Sequence, residues 1–169
     1  MRTQALFLTI LIFITMTSVT NDKDLSVTSS AFLANSIIPA KYSCEGDEAS
    51  PPLHINNVPT SAKSLALIVH DPDAQSPGGF THWVVWNIDT TSDIPENYKG
   101  GSQGLNGAML HGYKGMCPPS GTHHYHFMVY ALDTKLDIDK NTDKHGLEKA
   151  MKGHIISHAE LIGLYKKTK

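Results

Sequence analysis

Short apolar runs rich in β-branched and aromatic residues alternate along most of the chain with clusters of Gly, Pro, Asn and Asp. That pattern predicts a mostly β, antiparallel domain. The clearest strands are residues 64–70 (SLALIVH), 82–88 (HWVVWNI) and 124–132 (HYHFMVYAL). Each is followed by turn chemistry, namely DPDAQSPGG, DTTSDIPEN and DTKLDIDKN. Near Asp143 the spacing changes: Leu147, Ala150, Met151 and His154 recur at three and four residues, which predicts a short C-terminal helix. Beyond Gly153, HIISHAELIGLY is compatible with more helix, but Gly153 and Gly163 punctuate it and favour a last strand. Residues 98–119 contain six glycines and no sustained period, as a long functional loop would.

The first twenty residues break this pattern. Arg2 is their only charge, an apolar run covers residues 5–16, and small residues precede polar Asn21 and Asp22. This predicts a signal peptide over residues 1–20, since the run is shorter than the ~20 residues of a spanning helix. The remainder, residues 21–169, is the length of a single domain, and the leader implies a periplasmic or secreted protein.

Formal net charge is −2, and loss of Arg2 with the leader takes it to −3. No broad basic field attracts nucleic acid, and no membrane-inserting segment follows the leader. Arg2 is also the only arginine, so a mature chain grips an anion without a guanidinium fork. Cys44 and Cys117, in an oxidising compartment, admit a disulfide or two separate buried thiols.

Candidate chemistry gathers at strand ends. Alternation along the strand sorts His123, Tyr125 and Phe127 to one face, and His124 and His126 to the other. His124 and His126 form a two-ligand metal unit without an identifiable third ligand, so no metal and no cofactor are expected. Asp71-Pro72-Asp73 ends one strand and His82 opens the next, with Pro72 holding the two carboxylates in a rigid turn.

Together these stretches resemble the phosphatidylethanolamine-binding protein family, in its bacterial and archaeal branch related to Raf kinase inhibitor protein. The resemblance is carried in order by IPAKYSCEG, SPPL at 50–53, KSLALIVHDPDA at 63–74, FTHWVVWNI at 80–88, GYKGMCPPSGTHHYHFMVYALDT at 112–134 and KGHIISHAELIGLY. It implies an antiparallel β-sandwich-like fold with a small anion pocket at strand ends. The pocket positions it implies are Asp71, His82, Pro119, His123 and Tyr125, bordered by Asp73 and Cys117. Two histidines beside a carboxylate are then expected to be held protonated, with Asp71 orienting both and Tyr125 donating its hydroxyl.

Four positions depart from the family pattern: Gln75, Met116, His124 and His54. The first two are expected at the pocket rim. The implied function is non-catalytic binding of phosphate, phosphoryl groups or phospholipid headgroups, by a monomer or homodimer, with a protein partner as a further possibility. The family's intracellular kinase partners do not share the compartment implied by the leader. The alternative is a hydrolase using His82 or His123 as general base, for which Cys117 is the candidate nucleophile.

Overall fold

The computed structural model describes residues 24–90 and 93–168, so the leader at 1–20 lies outside the described residues. Among the described residues eight strands form two antiparallel sheets. The smaller has the order β1 (Ser26–Thr28), β2 (Leu53–Asn56), β5 (Asp93–Ile94). The larger runs β6 (Ser102–Gln103), β4 (Phe80–Ile88), β3 (Ser64–Asp71), β7 (His123–Leu132), β8 (Ile155–Tyr165). One helix, α1 (Lys144–Met151), precedes β8. Among the described residues no helix is long and apolar enough to cross a membrane.

The core lies between the two sheets. Leu65, Leu67 and Val69 of β3 and Phe127, Val129 and Ala131 of β7 meet Val27, Leu53, Ile55 and Ile94 of the smaller sheet. The opposite face of the larger sheet is also covered: Ala66, Ile68, Val84 and Trp86 pack beneath Leu147 and Met151 of α1 and beneath Leu136. β3 and β4 are therefore buried on both faces. This explains why SLALIVH and WVVW are almost unbroken apolar runs, whereas β7 alternates buried with more exposed positions.

α1 begins where expected. The Asp143 carboxylate caps it by accepting the Gly146 N–H at 2.9 Å, and the HIISHAELIGLY segment returns as β8, pairing with β7 over almost its whole length. The 98–119 stretch is more ordered than expected. β6 pairs with β4, and the Asn106 carboxamide braces the following turn by accepting from Ala108 and Leu110 and donating to the Gly112 carbonyl. Gly104 is needed there, because a Cβ would lie 2.8 Å from the Trp86 ring and 2.5 Å from the Thr142 carbonyl.

β4 carries an extra residue relative to β3. Val69 pairs with Trp83 and His70 with Thr81, which leaves His82 without a register partner. Such a bulge bends the strand and reorients a side chain.

Cys44 and Cys117 are joined in a disulfide, which resolves the two alternatives. It fastens the segment after the Ala40–Tyr42 3₁₀ turn to the segment entering β7. The same two segments are zipped by Cys44 N–H to the Met116 carbonyl at 3.0 Å and by the Tyr113 hydroxyl to the Tyr42 carbonyl at 2.7 Å. The bond closes a sequence separation of 73 residues. Replacing both cysteines by alanine is expected to cost about 4 kcal/mol, read from denaturant midpoints under oxidising conditions. An unchanged midpoint would refute this.

Candidate functional site

Three strand ends converge on one pocket of about 250 Å³. Asp71 is the last residue of β3 and has the same parity as Leu67 and Val69, so it faces the sandwich interior. His123 is the first residue of β7 and shares the inward face with Tyr125 and Phe127. His82 reaches the same space through the bulge. Simple alternation would put it beside Val84 and Trp86 beneath α1, but its ring lies 5.2 Å from the Tyr125 ring, edge-on, within the sandwich. Phe80 packs on the other side of His82 at 4.8 Å. Cys117, Pro118 and Pro119 form the opposite wall, with Ala74, Gln75, Lys114 and Gly115 completing the lining.

Asp71 is 3% exposed and both its oxygens are engaged. Oδ1 accepts the Asp73 backbone N–H at 2.9 Å, and Oδ2 accepts the His123 Nδ1–H at 2.8 Å. His82 is fixed differently. Its Nδ1–H donates to the Lys114 carbonyl at 2.7 Å, while the Lys114 N–H donates to the His82 carbonyl at 2.8 Å. Asp71 therefore orients only one of the two histidines. Burial pushes the His82 pKa below its ordinary 6.5, outweighing the opposite pull of the Lys114 carbonyl and the Asp71 charge. The expectation of two imidazoliums is corrected to a neutral His82. In each ring Nδ1 is tied to the protein, which leaves Nε2 as the atom available to a ligand.

Tyr125 is fully buried behind the pocket rather than in its lining, beside both rings, with His123 stacked at 6.5 Å. Its hydroxyl makes no hydrogen bond of ordinary geometry, although the Asp71 carboxylate lies near enough to interact with it. Burial, and then the neighbouring Asp71 charge, raise its pKa, so it stays a neutral hydroxyl.

Asp73 departs from expectation. Its Oδ2 accepts the His124 backbone N–H at 2.8 Å and the His124 Nδ1–H at 2.7 Å, which turns the carboxylate away from the pocket and holds its pKa low. Only its backbone N–H supports the site, through Asp71. On the same outer face His126 pairs with Glu160 at 2.7 Å. Among the described residues no group of three or more His, Cys, Asp or Glu side chains is placed to hold a metal. Cys117 lines the pocket as a half-cystine, so the thiol needed by the hydrolase alternative is bonded to Cys44.

Of the four departures from the family pattern, only Gln75 lines the pocket. Met116, expected at the rim, is fully buried in the core, and exposed His54 pairs with Asp93 at 2.7 Å. Sequence reasoning missed Lys114 and Phe80. The available signal for Lys114 was its place in GYKG, three residues before the family's CPP stretch.

The family model described as phosphatidylethanolamine-binding protein matches residues 28–166. A UPF0098 protein of Pyrococcus horikoshii is 49% identical over 150 residues, covering 82% of this chain and 75% of that protein. A crystal structure described as a phosphatidylethanolamine-binding protein homologue of Chlamydia trachomatis superposes with a TM-score of 0.82 at 44% identity, covering 85% of this chain and 98% of that one. Escherichia coli YbcL, described as a new member of the mammalian PEBP family, gives 0.80 at 32% identity, covering 86% and 100%.

His82 supplies a direct test. A histidine with a depressed folded pKa contributes stability that is complete above its unfolded value near 6.5 and is lost as pH falls from there toward the folded value. In an NMR titration the His82 ring is expected to show a midpoint below 6.5, and Asp71→Asn should move it lower still. A midpoint at or above 6.5 would contradict the assignment.

Proposed function

Because the chain belongs to the phosphatidylethanolamine-binding protein family, we propose that it is a non-catalytic binding protein whose pocket takes a phosphoryl group, as free phosphate or as a phospholipid headgroup. One observation carries this reading: Asp71, His82 and His123 are buried together at the ends of three strands, with both Nδ1 atoms tied and both Nε2 atoms spare. A neutral His82 Nε2 accepts a hydrogen bond. His123 Nε2 donates one whenever its ring is protonated, a state the Asp71 carboxylate can balance. An acceptor beside a donor suits inorganic phosphate, which keeps a proton of its own near neutral pH, whereas a phosphodiester headgroup, which has none, would be held by the donor.

A volume of about 250 Å³ suits a headgroup, with lipid tails left outside. The bonded Cys117 supports a non-catalytic role, since the pocket then has no thiol nucleophile. The leader read at residues 1–20, together with the disulfide, supports a periplasmic or secreted location. An occupied pocket beside the 113–119 wall is a state that a protein partner could distinguish from an empty one. The charge balance supports a small anionic ligand over nucleic acid.

Calorimetry on the tag-free protein is expected to show saturable binding of inorganic phosphate and phosphoethanolamine. Loss of one charge-assisted bond in His123→Ala should weaken it by about tenfold or more. His124→Ala, on the outer face, should leave it unchanged. Failure of the wild-type protein to bind either compound would sink this reading.

A further inference from the structure

The pocket has an electrostatic deficit. Burial keeps His82 neutral, and the charge His123 carries when protonated is balanced by Asp71. An entering phosphoryl group therefore meets little net positive charge from the buried set, and after residue 2 the chain contains no arginine. The one cationic side chain in the pocket lining apart from the histidines is Lys114.

Lys114 is held from both sides by His82, through the reciprocal bonds of its backbone N–H and carbonyl. Its side chain is not committed to the interior. The ammonium bonds to Glu48 Oε2 at 2.8 Å, and the two side chains are 38% and 36% exposed, so the pair is of the weak, separable kind. Glu48 is set in place with some care by its surroundings. Its backbone lies at φ +52°, in the left-handed region that a glutamate rarely adopts, and its carboxylate also accepts the Gly115 N–H at 3.4 Å. A Cβ at Gly115 would meet Glu48 Cγ and the Ser43 backbone carbonyl carbon, each at 2.9 Å, so the glycine lets both approach. The Lys114 bond holds the Glu48 carboxyl below its usual range, so the latch is ionised at neutral pH.

We propose that Lys114 is the residue that supplies positive charge to the ligand and that Glu48 is its latch, neutralising the ammonium while the pocket is empty and surrendering it to an incoming phosphoryl group. This rests on the phosphoryl-binding reading of the same pocket. It assigns to the loop wall the charge that the strand-borne histidines do not supply. It also leaves a freed carboxylate beside the lining residues Lys114 and Gly115, from where it selects among phosphorylated ligands by what they carry next to the phosphoryl group.

Calorimetry on the full chain with inorganic phosphate and with phosphoethanolamine tests this, using Lys114→Met, Lys114→Arg and Glu48→Gln, each checked for a wild-type thermal midpoint. Lys114→Met keeps much of the stem and should weaken phosphate about tenfold, while Lys114→Arg should largely preserve binding. Glu48→Gln removes the competitor and should tighten phosphate several-fold, a change of sign that a merely structural ion pair would not give. If Glu48→Gln tightens phosphate but weakens phosphoethanolamine, the freed carboxylate holds the ammonium of a headgroup. If both tighten alike, Glu48 is a latch alone and free phosphate suits the site as well. Both results uphold the assignment. Wild-type binding that His123→Ala weakens, but that Lys114→Met and Glu48→Gln leave unchanged, overturns this inference and spares the pocket reading. No phosphate binding by the wild-type protein overturns both.

Discussion

A carboxylate removed from water must be paired, and the site is organised around keeping Asp71 paired. One oxygen takes the Asp73 N–H and so fixes the DPD turn; the other takes the His123 Nδ1–H and so joins the end of β3 to the start of β7. Removing one partner of such a pair leaves the other buried without compensation, at a cost of about 3–5 kcal/mol. The pair thus does two things through one contact. It locks the geometry of the strand ends, and it leaves His123 Nε2 as the free position of its ring.

The second histidine is recruited against the ordinary geometry of a strand. β4 is buried on both faces, and its alternate residues serve either the sandwich core or the layer beneath α1. A polar ring placed by that alternation would have been buried beneath the helix. The extra residue in β4 turns His82 to the sandwich side, and the Lys114 carbonyl satisfies its Nδ1–H at 2.7 Å. The resulting burial decides its charge. Near Asp71 an exposed imidazole would be drawn toward protonation, but desolvation is the larger effect here and keeps the ring neutral. Proximity to a carboxylate alone therefore gives the wrong sign for this residue.

Much of this was legible in the sequence where periodicity or punctuation is strong. The alternation in HHYHF sorted His123 and Tyr125 from His124 and His126, and Gly153 marked the passage from α1 to β8. The unbroken runs in β3 and β4 gave the strands but not their double-sided burial, which depends on α1 and the 136–138 segment returning over the sheet. The smaller sheet was not picked out, because β1, β2 and β5 are only two to four residues long and carry no period. A bulge has no sequence signature of its own, so the orientation of His82 and its bond to Lys114 could not be derived. The same is true of Asp73, whose carboxylate is taken by His124, a partner brought close only by the pairing of distant strands.

The two sides of the pocket are built by different physics, and this bears on where specificity can change. Asp71, His82 and His123 sit on strands whose inward residues are fully buried, so altering their positions would disturb the core that places them. The facing wall, residues 113–119, is loop. It is held by the disulfide to Cys44, by Met116 inserted into the core, by Tyr113 on the Tyr42 carbonyl and by the separable Lys114–Glu48 pair. A covalent bond and a buried anchor give that wall a fixed backbone, while its charged side chain stays solvated and free to change partners. Gln75, the family departure that reaches the lining, belongs to a loop as well. The strand side is thus fixed in geometry by the core, and the loop side is where charge can change without disturbing it.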